Sequence, residues 1–258
     1  MMISLFSRFL PLLTLILFLS GPALAAAQDR FAEADAILQN PALNVSQAQQ
    51  ALALYEKLLP ETQADRAALL LRLTRTCAIL GDLLEKDNSA RQPYFEKGQI
   101  YAKELAQEEP GQPSGPYWLG LNLAGEAASK GMIGGRALIP EILQEFRLAL
   151  SLDEHYDEAG PHRALGRLYY LVPGPPLGPG DLQKSLEHLT QAVRLAPENS
   201  SNHLFLAQTM IRLGMKEGAR QELARAFSAP CHALMPKDLE KDHRKAGQLL
   251  TELDSAGN

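Results

Sequence analysis

The segment from Leu165 to Pro230 constrains the fold most, because small and large apolar residues recur in it at the spacing of packed helical hairpins. In its second hairpin, Leu206-Ala207 lie on the first helix, Gly214 marks the turn, and Pro230 stops the second helix. A glycine or alanine beside a leucine lets a partner helix approach closely. The other pattern residues are Ala219, Leu223 and Ala226 in this hairpin, and Gly166, Tyr169, Leu189, Ala192 and Pro197 in the first. The segment therefore predicts consecutive helix–turn–helix units of one type.

This pattern resembles the tetratricopeptide repeat, a helix–turn–helix unit of about 34 residues that stacks into a solenoid. The rest of the sequence also favours helices, since no stretch alternates apolar and polar residues as a β-strand does. We expect an all-α, tetratricopeptide-repeat-like α-solenoid of about five helical hairpins with a C-terminal capping helix. The resemblance implies a binding module rather than an enzyme. The predicted helices span roughly 29–39, 45–59, 63–86, 89–108, 115–129, 138–152, 159–171, 181–196, 200–213, 215–228 and 237–252.

The N-terminus has the features of a targeting segment. Arg8 precedes an apolar run from Phe9 to Leu19, and Ala23-Leu24-Ala25 is a small-x-small cleavage site. The run is shorter than the roughly 20 residues that span a bilayer, so a retained anchor is the less favoured alternative. We expect residues 1–25 to be a signal peptide cleaved after Ala25, or after Ala27. Residues 26–258 would form one exported helical-repeat domain, periplasmic in a Gram-negative source. No cysteine stands directly after the cleavage site, so a lipid anchor on the mature N-terminus is not expected. Stable membrane insertion is not expected either, because the apolar run is too short.

The charge balance bears on the class of partner, and the two cysteines bear on whether a disulfide forms. The chain has 25 basic and 30 acidic residues without a basic block, so nucleic acid is a poor partner. Export would permit a disulfide between Cys77 and Cys231. Cys77, however, lies on a predicted core stripe, and a solenoid repeat contacts only its neighbours. Two separate thiols are therefore favoured, and the disulfide stays the alternative.

Two Gly/Pro-rich insertions, residues 129–135 and 173–180, lengthen the connections inside two successive hairpins. Equivalent loops of successive hairpins lie on the same edge of a solenoid, and insertions there often form a binding face. The alternative is that they are connectors of variable length. The candidate residues for contact with a partner or ligand are Trp118, Lys130, Met132, Ile133, Pro173, Pro175, Pro176, Leu177 and Pro179. Trp118 is interpreted first as a packing residue, and an aromatic platform for a ligand is the minority interpretation.

Residues of about 90–230 also resemble the T-component of the TRAP transporters associated with tetratricopeptide repeats (TatT). The resemblance is carried by Pro116-Tyr117-Trp118-Leu119-Gly120, Ser129-Lys130-Gly131, Gly160-Pro161-His162-Arg163-Ala164-Leu165-Gly166, Pro173-Gly174 and Gly180-Asp181. It implies an all-helical periplasmic protein that forms trimers and associates with the solute-binding protein of a TRAP transporter. It also implies handling of small hydrophobic or organic-acid ligands. Members of that family are often lipoproteins, whereas this sequence has no lipobox cysteine.

The sequence gives no catalytic, cofactor or metal site. His155 and His162 stand near four acidic residues, but these do not share one helical face, so a solvated charged segment is favoured over a metal site. Cys231 and His232 are adjacent, so their side chains diverge, which disfavours a catalytic pair. The leading hypothesis is a non-enzymatic accessory protein of a TRAP-type uptake system. The alternative is a general periplasmic scaffold for envelope protein assembly.

Overall fold

The computed structural model describes the backbone of residues 21–229 and 236–255, and the side chains of 30–229 and 240–255. Every regular element within these ranges is a helix. A 3₁₀ helix, Gly135–Leu138, joins α6 to α7. The α-helices are α1 (Gly21–Leu38), α2 (Val45–Leu58), α3 (Arg66–Leu83), α4 (Asn88–Glu108), α5 (Ser114–Ser129), α6 (Gly131–Gly134), α7 (Ile139–Leu152), α8 (Tyr156–Leu171), α9 (Leu182–Leu195), α10 (Ser200–Arg212), α11 (Lys216–Ser228) and α12 (Pro236–Ser255).

The helices pair into hairpins that stack in chain order. Within the described residues the hairpins are α1–α2, α3–α4, α5–α7, α8–α9 and α10–α11, and α12 packs against α10 and α11. From α3 onward, the first helix of each hairpin contacts the first helix of the next, so α3, α5, α8, α10 and α12 form an inner row. This arrangement confirms the predicted solenoid of about five hairpins and a capping helix.

Side-chain caps explain where several helices begin. Asp181 is the predicted cap of α9, and its carboxylate accepts hydrogen bonds from the backbone N–H groups of Gln183 (2.9 Å) and Lys184 (3.1 Å). Asn44 and Gln47 form a reciprocal capping box at α2. Gly214 has a φ of +77° at the turn between α10 and α11, a conformation that glycine adopts without strain.

Small residues let paired helices approach, as the spacing predicts. A Cβ placed on Gly166 of α8 would lie 2.5 Å from Cγ of Leu189 on α9. Leu189 and Ala192 are fully buried, as are Ala207, Ala219, Leu223 and Ala226 in the following hairpin. These contacts confirm the helix register proposed for the repeat pattern.

The first insertion corrects the prediction of a loop. Residues 131–138 form α6 and the 3₁₀ helix, because Gly135 packs so closely that an added Cβ would lie 2.2 Å from the carbonyl oxygen of Ala127. Helix α1 also begins earlier than predicted, at Gly21, and α12 ends later, at Ser255. A close contact such as that of Gly135 with Ala127 stabilises a short helix whose own sequence would not be enough to form it.

Parts of the predicted ends lie outside the described residues. Arg8 and the run from Phe9 to Leu19 are outside them, and Ala25 lies within α1. Cys77 is a buried free thiol, and Cys231 lies outside the described residues. Among the helices that the structure describes, none has the length and apolar character needed to cross a bilayer.

Candidate functional site

A concave groove of about 730 Å³ runs along the inner row of helices. Residues of α3, α5, α8, α10 and α12 line it, together with Phe95 of α4. Its apolar lining includes Phe95, Leu121, Gly125, Ala164, Leu204 and Phe205. The volume falls within the roughly 300–1,000 Å³ of small-molecule sites.

A buried polar network forms one wall of the groove. The hydroxyl of Tyr117 donates to Oδ2 of Asp157 at 2.5 Å, and Nη2 of Arg163 pairs with the same oxygen at 2.7 Å. Burial and the Asp157 charge raise the pKa of Tyr117 well above its ordinary value. Burial alone would lower the pKa of Arg163, but the neighbouring Tyr117 and Asp157 raise it. Arg163 is therefore a charge already compensated within the protein.

The backbone beside this network has an unusual conformation. Asp157, Glu158 and Ala159 all have positive φ values, 51°, 54° and 61°. Non-glycine residues in this region cost on the order of 1–3 kcal/mol each unless neighbours hold them. The holding contacts come from Arg163, which donates to the carbonyl oxygens of Asp157 and Glu158, and from Asn202, which donates to that of Glu158. The wall is thus built from α5, α8 and α10 together.

Trp118 lies at the base of the groove and is mainly a packing residue. Its side chain is buried, its Nε1–H donates to the hydroxyl of Tyr156 at 3.1 Å, and the guanidinium of Arg75 lies 5.8 Å from its ring. It also lines the groove, so the minority interpretation as a ligand platform stays open.

Arg167 is a second inner arginine, one helical turn after Arg163. Its Nη1 donates to Oε1 of Gln208 at 2.5 Å, and its guanidinium lies 4.5 Å from the ring of Phe205 and 5.0 Å from that of Tyr170. Burial lowers the pKa of Arg167 from its ordinary value. Neither arginine was predicted as a site residue, although their spacing of four residues places them on one face of α8 and could have signalled a charged inner stripe.

The two insertions expose most of the predicted contact residues. Met132 and Ile133 on α6 are 78% and 93% exposed, and Leu177 is 57% exposed. Lys130 is exposed but pairs with Glu126 one turn earlier. Pro175 and Pro176 are exposed, whereas Pro173 and Pro179 are half-buried at the base of their loop.

Two histidines that are distant in sequence meet between α8 and α9. Nδ1 of His162 lies 3.0 Å from Nδ1 of His188, and Glu154 lies 3.5 Å from Nε2 of His162. Local spacing groups His162 with His155 instead, because His188 on α9 is distant from both in sequence. Among the described residues, no group of three or more His, Cys, Asp or Glu side chains could hold a metal ion.

Comparisons with known proteins agree with this architecture. A tetratricopeptide-repeat family model matches residues 177–229. A thermophilic tetratricopeptide-repeat protein of Thermus thermophilus is similar in structure, with a TM-score of 0.62 and 19% identity over 86% of this chain and 98% of that one. Yeast Tom70 gives a TM-score of only 0.32 at 12% identity, over 84% of this chain and 64% of that one, which is too loose to argue from. No curated protein sequence matches the chain. The chain is therefore a tetratricopeptide-repeat-like helical protein with the fold of an α-solenoid.

Proposed function

We propose that the chain is a non-enzymatic periplasmic accessory protein of a TRAP-type solute uptake system and binds the solute-binding protein of that system. The observation that carries the partner-binding role is the exposure of two adjacent large apolar residues, Met132 and Ile133, on the ordered helix α6. The choice of a TRAP system and of export rests on the resemblance of residues 90–230 and on the N-terminal sequence.

The physical argument starts from the cost of exposing apolar surface. A side chain such as Ile133, 93% exposed, gives up its hydrophobic stabilisation unless another molecule covers it. Contiguous apolar residues on an ordered surface commonly mark interaction sites. The close approach of Gly135 to Ala127 holds α6 in place. A partner would therefore meet a preformed surface and lose little conformational entropy on binding it.

The resemblance also implies trimers, so a second copy of this chain competes for the same surface. The two occupants differ in what they require. A self-association surface gives a concentration-dependent mass for the purified chain alone. A partner surface leaves that mass unchanged until the solute-binding protein is added.

The test uses the mature chain and the solute-binding protein of the proposed uptake system. We expect the double variant Met132→Asp/Ile133→Asp to lose binding at least tenfold by titration calorimetry, because two buried apolar contacts would become charged. The matched control is Phe227→Asp on α11, since Phe227 is also well exposed (57%) but lies in a different hairpin from both insertions. Equal affinity of the double variant and the wild type would overturn the proposal.

A second candidate is the general periplasmic scaffold, and the groove along five inner helices favours it. Such a scaffold would hold an extended peptide of a client protein in the groove. Substitutions on α6 would then leave binding intact, whereas groove substitutions would abolish it. Substitutions on α6 and substitutions in the groove therefore separate the two functions.

A further inference from the structure

The connections inside the last three hairpins lie along one edge of the solenoid, which we call the turn edge. It comprises residues 130–138, 171–180 and 212–216. Each hairpin reverses the chain once, so the neighbouring first helices α5, α8 and α10 all end on the same side. Nη1 of Arg212 donates to the carbonyl oxygen of Tyr170 at 2.7 Å, which joins the end of α10 to the end of α8.

The turn edge concentrates the exposed apolar surface of the molecule. Among the described residues, nine large apolar side chains are well exposed, and five of them stand on this edge. They are Met132, Ile133, Leu171, Leu177 and Met215, with exposed fractions from 44% to 93%. The proposed function uses only the two on α6. A row of exposed apolar side chains that continues over three hairpins is typical of an interaction surface.

The turn edge is also basic, although the chain as a whole has a net charge of −5. Its charged residues are Lys130, Arg136, Arg212 and Lys216, and all four are exposed. Lys130 pairs with Glu126. The other three form no ion pair within the part of the chain that the structure describes, and the hydrogen-bond acceptor of Arg212 is a backbone carbonyl. These three charges are therefore available to a partner.

The acidic residues that border the turn edge are already engaged, since Asp181 caps α9 and Glu217 pairs with Arg220. The opposite edge, formed by the connections between successive hairpins, has the reverse charge. From residue 109 to residue 199 these connections hold four acidic residues and no lysine or arginine. The four are Glu109, Asp153, Glu154 and Glu198. The two edges thus differ in sign, which steers an acidic partner to the turn edge.

The arrangement of charge along the turn edge fits a protein partner. Its cations lie in the two outer turns, whereas the middle turn, 171–180, has no charged residue. Protein interfaces are commonly built in this way, with an apolar centre and a polar rim. An anionic bilayer fits less well, because basic membrane-binding segments usually gather about four to eight Lys or Arg residues. Three available cations suit complementary carboxylates on a folded partner instead.

We propose that the turn edge docks a folded partner through a face that is acidic around an apolar centre. The inference rests on the proposed function for the identity of the partner, the solute-binding protein, and adds the chemistry of its contact face. Charges at the rim of an interface act mainly on the rate of association and on its dependence on salt. Binding through the whole turn edge should therefore weaken as the ionic strength rises, whereas an apolar contact through α6 alone would not.

The test reverses two charges of the turn edge. Arg136→Glu/Lys216→Glu should weaken binding of the solute-binding protein at least tenfold by titration calorimetry at about 50 mM NaCl. Arg136→Ala/Lys216→Ala should give a smaller loss, because it removes attraction without adding repulsion. Lys216 is the first residue of α11, where a negative charge stabilises a helix, so the reversal should leave the fold intact.

The matched control is Lys57→Glu/Lys86→Glu, which changes the net charge by the same amount. Both lysines are exposed and lie outside the turn edge, Lys57 on α2 and Lys86 between α3 and α4. The α3–α4 turn also holds Glu85 and Asp87, so the basic surface does not continue into it. The control should keep the wild-type affinity. Circular dichroism melts of all variants would show that each is folded.

The outcomes separate this inference from the proposed function. Raising NaCl to about 500 mM should weaken the wild type at least fivefold and should not weaken the reversed variant further. Unchanged affinity of the reversed variant, or an equal loss in the control, would overturn the inference. If only Met132→Asp/Ile133→Asp abolishes binding, the proposed function stands and the inference fails. If only the charge reversal weakens binding, the inference stands and the role of α6 fails.

Two other occupants of the turn edge are tested with the same variants. Vesicles of phosphatidylcholine and phosphatidylglycerol test a membrane surface, and light scattering of the purified chain tests a second copy. If the wild type does not bind the solute-binding protein at about 50 mM NaCl, the inference is overturned together with the proposed function. Vesicle binding or self-association that the charge reversal abolishes would then assign the turn edge to that occupant.

Discussion

The Nδ1 atoms of His162 and His188 lie 3.0 Å apart between α8 and α9, so one imidazole donates a hydrogen bond to the other. Tyr169 stacks on His188, Arg147 donates to the hydroxyl of Tyr169, and Lys184 lies over the same ring. The pair therefore sits among cations, with Glu154 as the acidic group nearest to His162. This hydrogen bond needs at least one neutral imidazole, because the accepting Nδ1 must be unprotonated.

This contact makes stability depend on pH. Burial lowers the pKa of His162, and burial with the charges of His162, Arg147 and Lys184 lowers that of His188 to about 4. The unfolded chain therefore binds more protons than the folded one between about pH 6.5 and 4. The contribution of this histidine pair to stability should be complete above about pH 6.5 and fall as the pH drops through this window.

The measurement is the melting temperature as a function of pH for the wild type and His188→Gln. We expect the variant to show a shallower decline below pH 6.5, since one of the titrating groups is gone. His155→Gln is the matched control, because His155 is exposed and lies outside the pair. Identical pH profiles for wild type and His188→Gln would contradict the assignment.

Gly166→Leu tests the close approach of α8 and α9. The new side chain would start 2.5 Å from Cγ of Leu189, so the hairpin must shift, at a cost of about 1–3 kcal/mol. Chemical denaturation would measure it. Gly247→Ala on α12 is the control, because no atom lies within 4 Å of the added methyl group. Alanine is also the better helix former, so this control should be neutral or slightly more stable.

Asp157→Asn tests the groove wall. The amide keeps the size of the carboxylate but leaves the Arg163 guanidinium buried without its counter-charge. Breaking such a buried pair costs about 3–5 kcal/mol. Urea unfolding should show this loss, whereas Asp181→Asn at the start of α9 should change little, because asparagine caps helices as well as aspartate does. A loss for Asp157→Asn no larger than for Asp181→Asn would mean that solvent compensates Arg163.

Features that depend on local spacing, such as helix pairing and helix caps, could be predicted from the sequence. Features that depend on contacts between distant residues could not. The small residues Gly166 and Ala219 and the cap Asp181 act on neighbouring helices or on their own helix, so their pattern is readable. The helix α6 was misjudged as loop because its glycines favour turns, and its order comes from Gly135 packing on Ala127. The positive φ values at Asp157 to Ala159 occur at non-glycine residues, so the sequence contains no glycine that would indicate them. The contact between Arg167 and Gln208 depends on the packing of α8 against α10, which local spacing does not reveal.

Shortening the loop 173–180 should weaken assembly without unfolding the chain. Its hydrogen bonds are mostly local, since Gly180 N–H donates to the carbonyl of Pro173 at 2.8 Å and Leu177 N–H to that of Gly174 at 3.0 Å. Replacing 173–180 with a short Gly-containing turn should leave α8 and α9 paired, because their contact at Gly166 and Leu189 is untouched and loop length costs little entropy.

Assembly should nevertheless weaken, because the exposed residues Leu177, Pro175 and Pro176 of the second insertion would be removed. Light scattering would measure self-association, and a pull-down would measure retention of the proposed solute-binding protein. A circular dichroism melt of the shortened chain serves as the folding control. If the shortened chain keeps its oligomeric mass and its partner affinity, the loop is only a connector, and binding must be sought on α6 or in the groove.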